Sequence, residues 1–358
     1  MKMRIAQIAP LYETVPPKLY GGTERVVASL CDDLIDLGHE VVLFAAAHAR
    51  TKAELVAARD QALWLDPNPL KSDLAAHLNL LHEVRSAAAD FDVLHFHTDL
   101  LHFPLFERLA HRTVTTLHGR LDLPDLRSTF TRWPEFGLVS ISEAQRRPVA
   151  PANWLATVKH GLLPDLYHPP RSPSGDYLAF LGRMSPEKGV DIAIRLALQA
   201  RMPLKIAAKV DTNDAAYFAA VVKPLLNHPL IEFIGEIGDA DKAQFLGNAR
   251  ALLFPIQWPE PFGLVMIESM ACGTPVVAWN WGSVPEIIDD GVTGFIVDTE
   301  NEALHAIERA AQLDRELIRS VFEQRFTARA MAEAYVRVYE QLERRSSPMS
   351  KELVRVIS

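Results

Sequence analysis

Short apolar runs and longer amphipathic stretches alternate along the chain. Arg4–Ala9 reads as a strand, and after a long loop Thr23–Leu37 carries the three-to-four-residue apolar spacing of a helix. Val41–Ala45, Val93–Phe96, Thr113–Leu117 and Gly137–Ile141 predict further strands, with helical patterns at Asp73–Ala89 and Leu101–Ala110 among them. Alternation of this kind implies crossover helices and a parallel sheet covered on both faces. The pattern breaks at 164–175, where Pro164, Pro169, Pro170 and Pro173 stand without an apolar period, which predicts a linker. Beyond it strands are expected at Tyr177–Leu181, Leu204–Ala208, Leu230–Gly235, Ala251–Phe254, Pro275–Ala278 and Gly294–Val297. Helices are expected at Gly189–Ala200, Asp214–Leu226, Ala240–Leu246 and Phe262–Ala271, with several more running to about Arg345. The expected fold is α/β, with two doubly wound, Rossmann-like domains. Ligands bind outside the C-terminal ends of such strands, so a deep cleft between facing domains is the expected site.

Length supports two domains, since 358 residues exceed one ordinary core of about 150. A charged fraction of 23% against 49% apolar residues marks a folded soluble chain. The net charge of −8 counts against a nucleic-acid partner. Cys31 and Cys272 lie in apolar helical stretches and read as buried thiols, with no disulfide or zinc spacing. The N-terminus lacks an export signal, and no apolar run approaches the roughly 20 residues of a membrane span. A cytoplasmic protein is expected, with peripheral membrane contact left open.

Candidate chemistry gathers in four segments. Gly182-Arg183-Met184-Ser185-Pro186-Glu187-Lys188-Gly189 follows a predicted strand and opens a helix. Two cations beside a helix N-terminus suit a diphosphate; the alternative is a loop with two solvated cations and a glycine serving helix entry. In Glu260-Pro261-Phe262-Gly263-Leu264-Val265-Met266-Ile267-Glu268, Pro261 fits the first helical position, Glu260 the helix mouth, and Glu268 a buried face about two turns on. A buried carboxylate needs a partner: a ligand hydroxyl such as a ribose, a neighbouring helix end, or an arginine. Tyr20-Gly21-Gly22-Thr23-Glu24-Arg25 opens the first helix, as an anion site or as a turn capped by Thr23. Thr116-Leu117-His118-Gly119-Arg120 follows a strand, where His118 would point into the cleft or stay a satisfied polar residue.

Other candidates carry less. His95 and His97 share a strand face, but no third metal ligand follows them. Asp90-Phe91-Asp92 precedes its strand, and Asp239-Ala240-Asp241 sits at a helix start, so both Asp-x-Asp matches read as accidental. Trp279-Asn280-Trp281 fits packing or sugar stacking equally.

In order and spacing these segments resemble the retaining glycosyltransferases of family 4, which have the GT-B fold. The likeness extends through Phe233-Ile234-Gly235, Ala271-Cys272-Gly273-Thr274-Pro275-Val276-Val277, Pro285-Glu286 and Gly291-Val292-Thr293-Gly294, with Gly21-Gly22 and His118-Gly119 in the first half. The resemblance implies that Arg183 and Lys188 bind the donor diphosphate, beside Gly182. It implies that Glu268 binds the ribose and Glu260 the donor hexose, near the amides of Phe262, Gly263 and Leu264. Gly235, Glu236 and Ile237 would lie against the base. His118 would meet the donor sugar, and Gly22 the phosphates or the acceptor. It further implies residues 1–165 as an acceptor domain and 166–334 as a donor domain. The last helix, with Tyr335–Arg345, would cross back so that 335–358 pack on the first domain. One departure is Ala207-Ala208-Lys209-Val210-Asp211, where the family often has a glycine-rich turn.

The implied activity is metal-independent, cofactor-free transfer of a hexose from a UDP- or GDP-linked sugar to a sugar, lipid-linked or small-molecule acceptor, with retention. The rival readings are a nucleotide-sugar epimerase of the same fold and a non-catalytic nucleotide-sugar binding protein. Acceptor choice is expected to rest on the loops Leu11–Lys18 and Ala47–Pro69.

Overall fold

In a computed structural model of the protein, residues 2–18 and 21–346 are described. The chain forms two compact units. Unit 1 holds residues up to Gly161 together with those from Ala328 onward, and unit 2 is Leu162–Thr327.

Unit 1 is built on seven strands: β1 Arg4–Ile8, β2 Glu40–Ala46, β3 Glu54–Arg59, β4 Val93–Phe96, β5 Thr113–Thr116, β6 Gly137–Ser140 and β7 Trp154–Thr157. They lie parallel in the order β3-β2-β1-β4-β5-β6-β7. The inner strands β4, β5 and β6 are buried throughout, and all but the first residue of β1 and β2 is buried. Both edge strands were absent from the sequence pattern. β3 and β7 are half-exposed, each has one neighbour, and each pairs through a register shift, so neither displays a clean two-residue period. Helix Gly22–Asp36 follows β1, helix Asp73–Ser86 follows β3, and the last helix, Ala328–Ser346, packs on unit 1.

Unit 2 has six strands: β8 Leu178–Arg183, β9 Leu204–Lys209, β10 Ile231–Gly235, β11 Ala251–Phe254, β12 Val276–Trp279 and β13 Gly294–Val297. All pairs are parallel, in the order β10-β9-β8-β11-β12-β13. In each unit the winding reverses beside the first strand, between β1 and β4 and between β8 and β11. The loops leaving those strand pairs define a crevice where ligands bind in open α/β sheets.

Several expectations need correction. Residues 164–175 are no free linker: Tyr167 is fully buried in unit 2, and Arg319 donates hydrogen bonds to the carbonyls of Pro164 and Tyr167. The prolines erase the apolar period without loosening the segment. The helix expected at Asp214–Leu226 is broken into an α turn at Ala215–Tyr217, a π-helical stretch at Phe218–Val222 and a 3-10 stretch at Lys223–Asn227. Pro224 lacks an N–H and crowds the preceding turn, which forbids a regular ladder there. Leu101–Ala110 holds only one α turn, Phe103–Phe106, before 3-10 geometry. Cys31 and Cys272 are both buried free thiols.

Candidate functional site

Unit 2 gathers its chemistry at the β8–β11 crevice. Gly182 and Arg183 are the last residues of β8, beyond the predicted strand end. A tight turn, Pro186–Lys188, then leads to helix Val190–Ala200. Gly189 joins them with φ +68°, and a Cβ there would sit 2.1 Å from the Pro255 carbonyl oxygen. Glycine is therefore required both by backbone conformation and by contact with the loop after β11. That loop also donates the Gln257 N–H to the Glu187 carbonyl at 2.7 Å.

The two cations are held by carboxylates. Arg183 pairs with Glu187, and its Nε lies 3.1 Å from Asp214 Oδ2. Burial pushes the Asp214 carboxyl up, against the opposing effect of Arg183. Lys188 Nζ lies 2.5 Å from Glu260 Oε2, which also accepts the Trp258 Nε1–H at 3.0 Å. The Lys188 ammonium stands 5.2 Å from the Trp258 ring centroid, within cation–π range. Lys209 ends β9 in register with Arg183 on β8.

The carboxylate segment differs from its sequence reading. Helix Leu264–Ala271 begins three residues after Pro261, so that proline is not its first residue. Gly263 turns into the left-handed region, φ +78°, and starts the helix there. Glu260 thus stands in the loop, with Phe262 buried behind it. Gly282 braces this loop: a Cβ there would meet Glu260 O at 2.3 Å and Glu260 N at 2.4 Å. Ser283 completes the brace, its N–H donating to the Glu260 carbonyl and its hydroxyl to the Phe262 carbonyl. Neither Gly282 nor Ser283 was singled out in the sequence.

Glu268 lies one turn into its helix and is 2% exposed. Its partner is Lys242, not an arginine: Nζ donates to Oε1 at 2.8 Å. The Tyr167 hydroxyl donates to Asp239 Oδ1 at 2.7 Å and lies 3.3 Å from the same Glu268 oxygen. The other oxygen, Oε2, is buried and has no hydrogen-bond partner among the described residues. Most buried polar atoms are paired, so this acceptor is left with a hydrogen bond to make. Gly235 ends the edge strand β10, with Glu236 and Ile237 in the loop after it and Asp239 opening helix Asp239–Gly247. That last position is the helix start read for the second Asp-x-Asp pair.

Unit 1 is chemically different. Helix Gly22–Asp36 has Gly21, not Thr23, at its cap, and no side-chain cap. Tyr20 lies outside the described residues. Glu24 in the first turn is buried, and burial, with Glu13 adding a smaller push, raises its carboxyl to about 7. His118 bonds to two other histidines: its Nε2 lies 2.8 Å from His97 Nδ1 and its Nδ1 3.4 Å from His160 Nε2. His97 Nε2 meets Gln7 Oε1 at 2.9 Å. On the other side, Gln7 Nε2 donates to the Tyr339 hydroxyl, which lies 2.7 Å from His95 Nδ1. His95 Nε2 meets Thr116 Oγ1 at 2.7 Å, and Thr116 meets the Tyr335 hydroxyl at 2.9 Å. Burial drives His95, His97 and His160 well below their ordinary value and His118 to about 3. His95 and His97, read as an incomplete metal pair, are links in this network. Among the described residues no cluster of three or more His, Cys, Asp or Glu side chains could hold a metal ion.

The remaining candidates resolve plainly. Asp92 accepts the Arg4 N–H at 2.7 Å, at the N-terminal end of β1 and away from the crevice. Trp279 is buried at the end of β12, whereas Trp281 is 47% exposed. No helix among the described residues is long and apolar enough to cross a membrane.

Comparison with known proteins adds the following. The model of the family described as Glycosyltransferase Family 4 matches residues 20–162, and that described as Glycosyl transferases group 1 matches residues 170–323. The chain is 28% identical over 327 residues to a phosphatidyl-myo-inositol mannosyltransferase of Mycolicibacterium smegmatis, covering 84% of this chain and 82% of that one. Among solved structures, a glycosyltransferase involved in avilamycin A biosynthesis superposes with a TM-score of 0.74 at 24% identity, covering 95% and 98% of the two chains. An Anabaena protein, HepE, solved with UDP and glucose, superposes at 0.71 with 19% identity, covering 94% and 99%.

Proposed function

The chain belongs to glycosyltransferase family 4 and has the GT-B fold; on that premise we propose that it moves a hexose from a UDP- or GDP-linked sugar to a hydroxyl of a sugar, lipid-linked or small-molecule acceptor, with retention and without a metal ion. The observation that carries this reading is the ion cluster at the β8–β11 crevice. Its two cations, Arg183 and Lys188, are held by three carboxylates, Glu187, Asp214 and Glu260. A diphosphate carries enough charge to replace those carboxylates as partner. Taking Lys188 from Glu260 frees the carboxylate to accept hydrogen bonds from hexose hydroxyls. Glu268 Oε2 then accepts from the ribose.

In the reaction the bond from the anomeric carbon to the diphosphate oxygen breaks through an oxocarbenium-like state. Arg183 and Lys188 stabilise the charge that builds on the leaving diphosphate. The acceptor oxygen bonds to the anomeric carbon from the leaving-group face, and its proton passes to a diphosphate oxygen. The M. smegmatis relative is a mannosyltransferase named for a phosphatidyl-myo-inositol acceptor, which favours a polyol hydroxyl as acceptor here. A panel of UDP and GDP hexoses offered with polyol acceptors in excess EDTA tests the reading, with the product anomer assigned by NMR. Retained product in the presence of chelator is expected. An inverted anomer excludes the retaining mechanism, and loss of turnover restored by a divalent ion excludes metal independence.

A further inference from the structure

In unit 1 the segments that leave the C-terminal ends of β1, β3 and β4 bring together two aromatic rings and a carboxylate that lie outside the histidine network. Tyr12 follows β1, and its ring stands 5.4 Å from that of Trp64, which follows β3, with the planes 33° apart. His77 of helix Asp73–Ser86 stands 5.1 Å from the Tyr12 ring, tilted by 46°. Trp64 is nevertheless 55% exposed. Tryptophan is highly buried on average. An indole held at the ligand-binding end of the sheet and left more than half open marks a contact surface.

The backbone under these rings is fixed. The Leu63 and Trp64 N–H groups donate to the Leu11 and Tyr12 carbonyls at 2.8 and 3.0 Å. His77 fastens the same loop to its helix. Its Nε2 accepts the Leu11 N–H at 3.2 Å, and its Nδ1 donates to the Asp73 carbonyl at 2.8 Å. Groups held in place beforehand lose little freedom when a ligand lies on them. Asp99, after β4, is the polar neighbour. It is exposed, and its backbone is left-handed, φ +51°. Among the described residues no hydrogen bond or ion pair reaches its carboxylate. The protein crowded around that carboxyl pushes it up by desolvation. A crowded carboxylate without donors is relieved by hydroxyls that donate to it. Burial first, then Asp73 and Asp99, hold the Tyr12 hydroxyl above its ordinary value, which sets both carboxylates within electrostatic reach of the rings.

We propose that Tyr12, Trp64 and Asp99 form a subsite for an uncharged polyol ring, a pyranose or a cyclitol, whose C–H face lies on the aromatic rings and whose hydroxyls donate to the Asp99 carboxylate. That this ring belongs to the acceptor rests on the sugar-transferase reading given above. An aromatic ring is negative on its face, and the C–H groups along one side of a polyol ring are the weakly positive partner that fits it. A carboxylate beside the rings then fixes the orientation of the hydroxyls. The sign of the charge narrows the ligand further. Asp73 and Asp99 oppose a phosphate at this position. Nearby cations are engaged elsewhere: Arg59 pairs with Asp66, and Lys71 donates to the Asp66 carbonyl at 2.6 Å. An acceptor that carries a phosphate therefore turns it away from these rings.

The test reads Trp64 directly. In the full, isotope-labelled chain at neutral pH and low salt, with no sugar donor added, the Trp64 indole N–H signal is assigned by its loss in Trp64→Phe. Methyl α-mannopyranoside and myo-inositol are titrated separately. At least one is expected to shift that signal saturably, and which one does so separates a sugar from a cyclitol. A signal that neither moves overturns the proposal. The matching sugar and cyclitol monophosphates are expected to bind about two- to fivefold more weakly, with the gap closing as salt is added. Monophosphates that bind as tightly as their parents at low salt also overturn it. Asp99→Asn keeps a left-handed backbone, which asparagine tolerates as aspartate does, and is expected to remove the gap. In turnover, Trp64→Ala is expected to raise the KM of a polyol acceptor about tenfold, with kcat and the donor KM within about twofold, and Trp64→Phe to recover most of the loss. An unchanged acceptor KM in a folded Trp64→Ala takes the acceptor from this subsite, and the titration of the unaltered chain decides should that variant not fold. A chain that transfers no sugar yet shifts Trp64 with a polyol loses the transferase reading and keeps the subsite.

Discussion

Unit 1 and unit 2 wind their sheets in the same order and reverse at the same place, yet they fill that place with opposite chemistry. Unit 2 sets ions there: two cations among three carboxylates, and a buried Lys242–Glu268 pair behind them. Unit 1 sets a neutral chain of histidines, tyrosines, an amide and a hydroxyl, with every histidine held uncharged by burial. The fold fixes where a ligand meets the backbone and leaves the kind of ligand to the side chains. Ion clusters suit a substrate that brings its own charge, and a neutral chain suits hydroxyls.

The sharpest way to break this contrast is to remove the charge from unit 2. Arg183→Ala or Lys188→Ala is expected to lower turnover by about two to three orders of magnitude, the scale for losing a transition-state charge stabiliser, with the circular dichroism spectrum unchanged. Turnover within tenfold of wild type would take the diphosphate role from them. Next in size is the buried pair. Glu268→Ala leaves the Lys242 ammonium buried without its main partner, at a cost of about 3–5 kcal/mol. Asp239, 3.7 Å from Lys242, should hold the loss near the lower end. Denaturant unfolding measures it, and adding Lys242→Met should recover most of the loss; a single variant as stable as wild type would show that the pair carries no stability.

The smaller test acts on unit 1 through pH. Its buried histidines have folded values below the unfolded value near 6.5, so protons favour the unfolded state. Their contribution is intact above about pH 6.5 and is lost as pH falls below it, by about 1.4 kcal/mol per unit for each histidine that stays neutral when folded. Glu24 opposes this. Its folded value is raised to about 7, so its contribution is present below the unfolded value near 4.5 and lost as pH rises through 7. The six lowered histidines of unit 1, His39, His95, His97, His102, His118 and His160, outnumber the raised carboxyls Glu24, Asp33, Asp99 and Glu343 and give a net loss on acidification, and thermal unfolding at pH 7 and 5 should show unit 1 melting earlier at the lower pH. An unchanged melting profile would mean that the histidines are charged or exposed.

The sequence already displayed the architecture, because inner strands are near-continuous apolar runs that cannot be mistaken for polar loops. Edge strands β3 and β7 were hidden by their exposure and shifted pairing. The motifs around Arg183, Lys188, Glu260 and Glu268 were legible as local spacing on one strand–turn–helix unit each. What spacing could not convey is the pairing: Lys188 with Glu260, Glu268 with Lys242, and Gly282 wedged under residue 260. Gly263 misled the helix start, since a left-handed residue is invisible in an otherwise helical pattern. The unit 1 network was least accessible. Gln7 and Tyr339 stand 332 positions apart, and no short-range period links them.

One consequence concerns biosynthesis. The chain leaves unit 1 at Gly161 and returns to it only at Ala328, carrying Tyr335 and Tyr339. A ribosome therefore finishes the whole of unit 2 while the histidines of unit 1 still lack their tyrosine partners. Unit 1, begun first, is completed after unit 2, and a nascent chain arrested before residue 335 would hold every residue of the charged site while the neutral network still lacked its tyrosines.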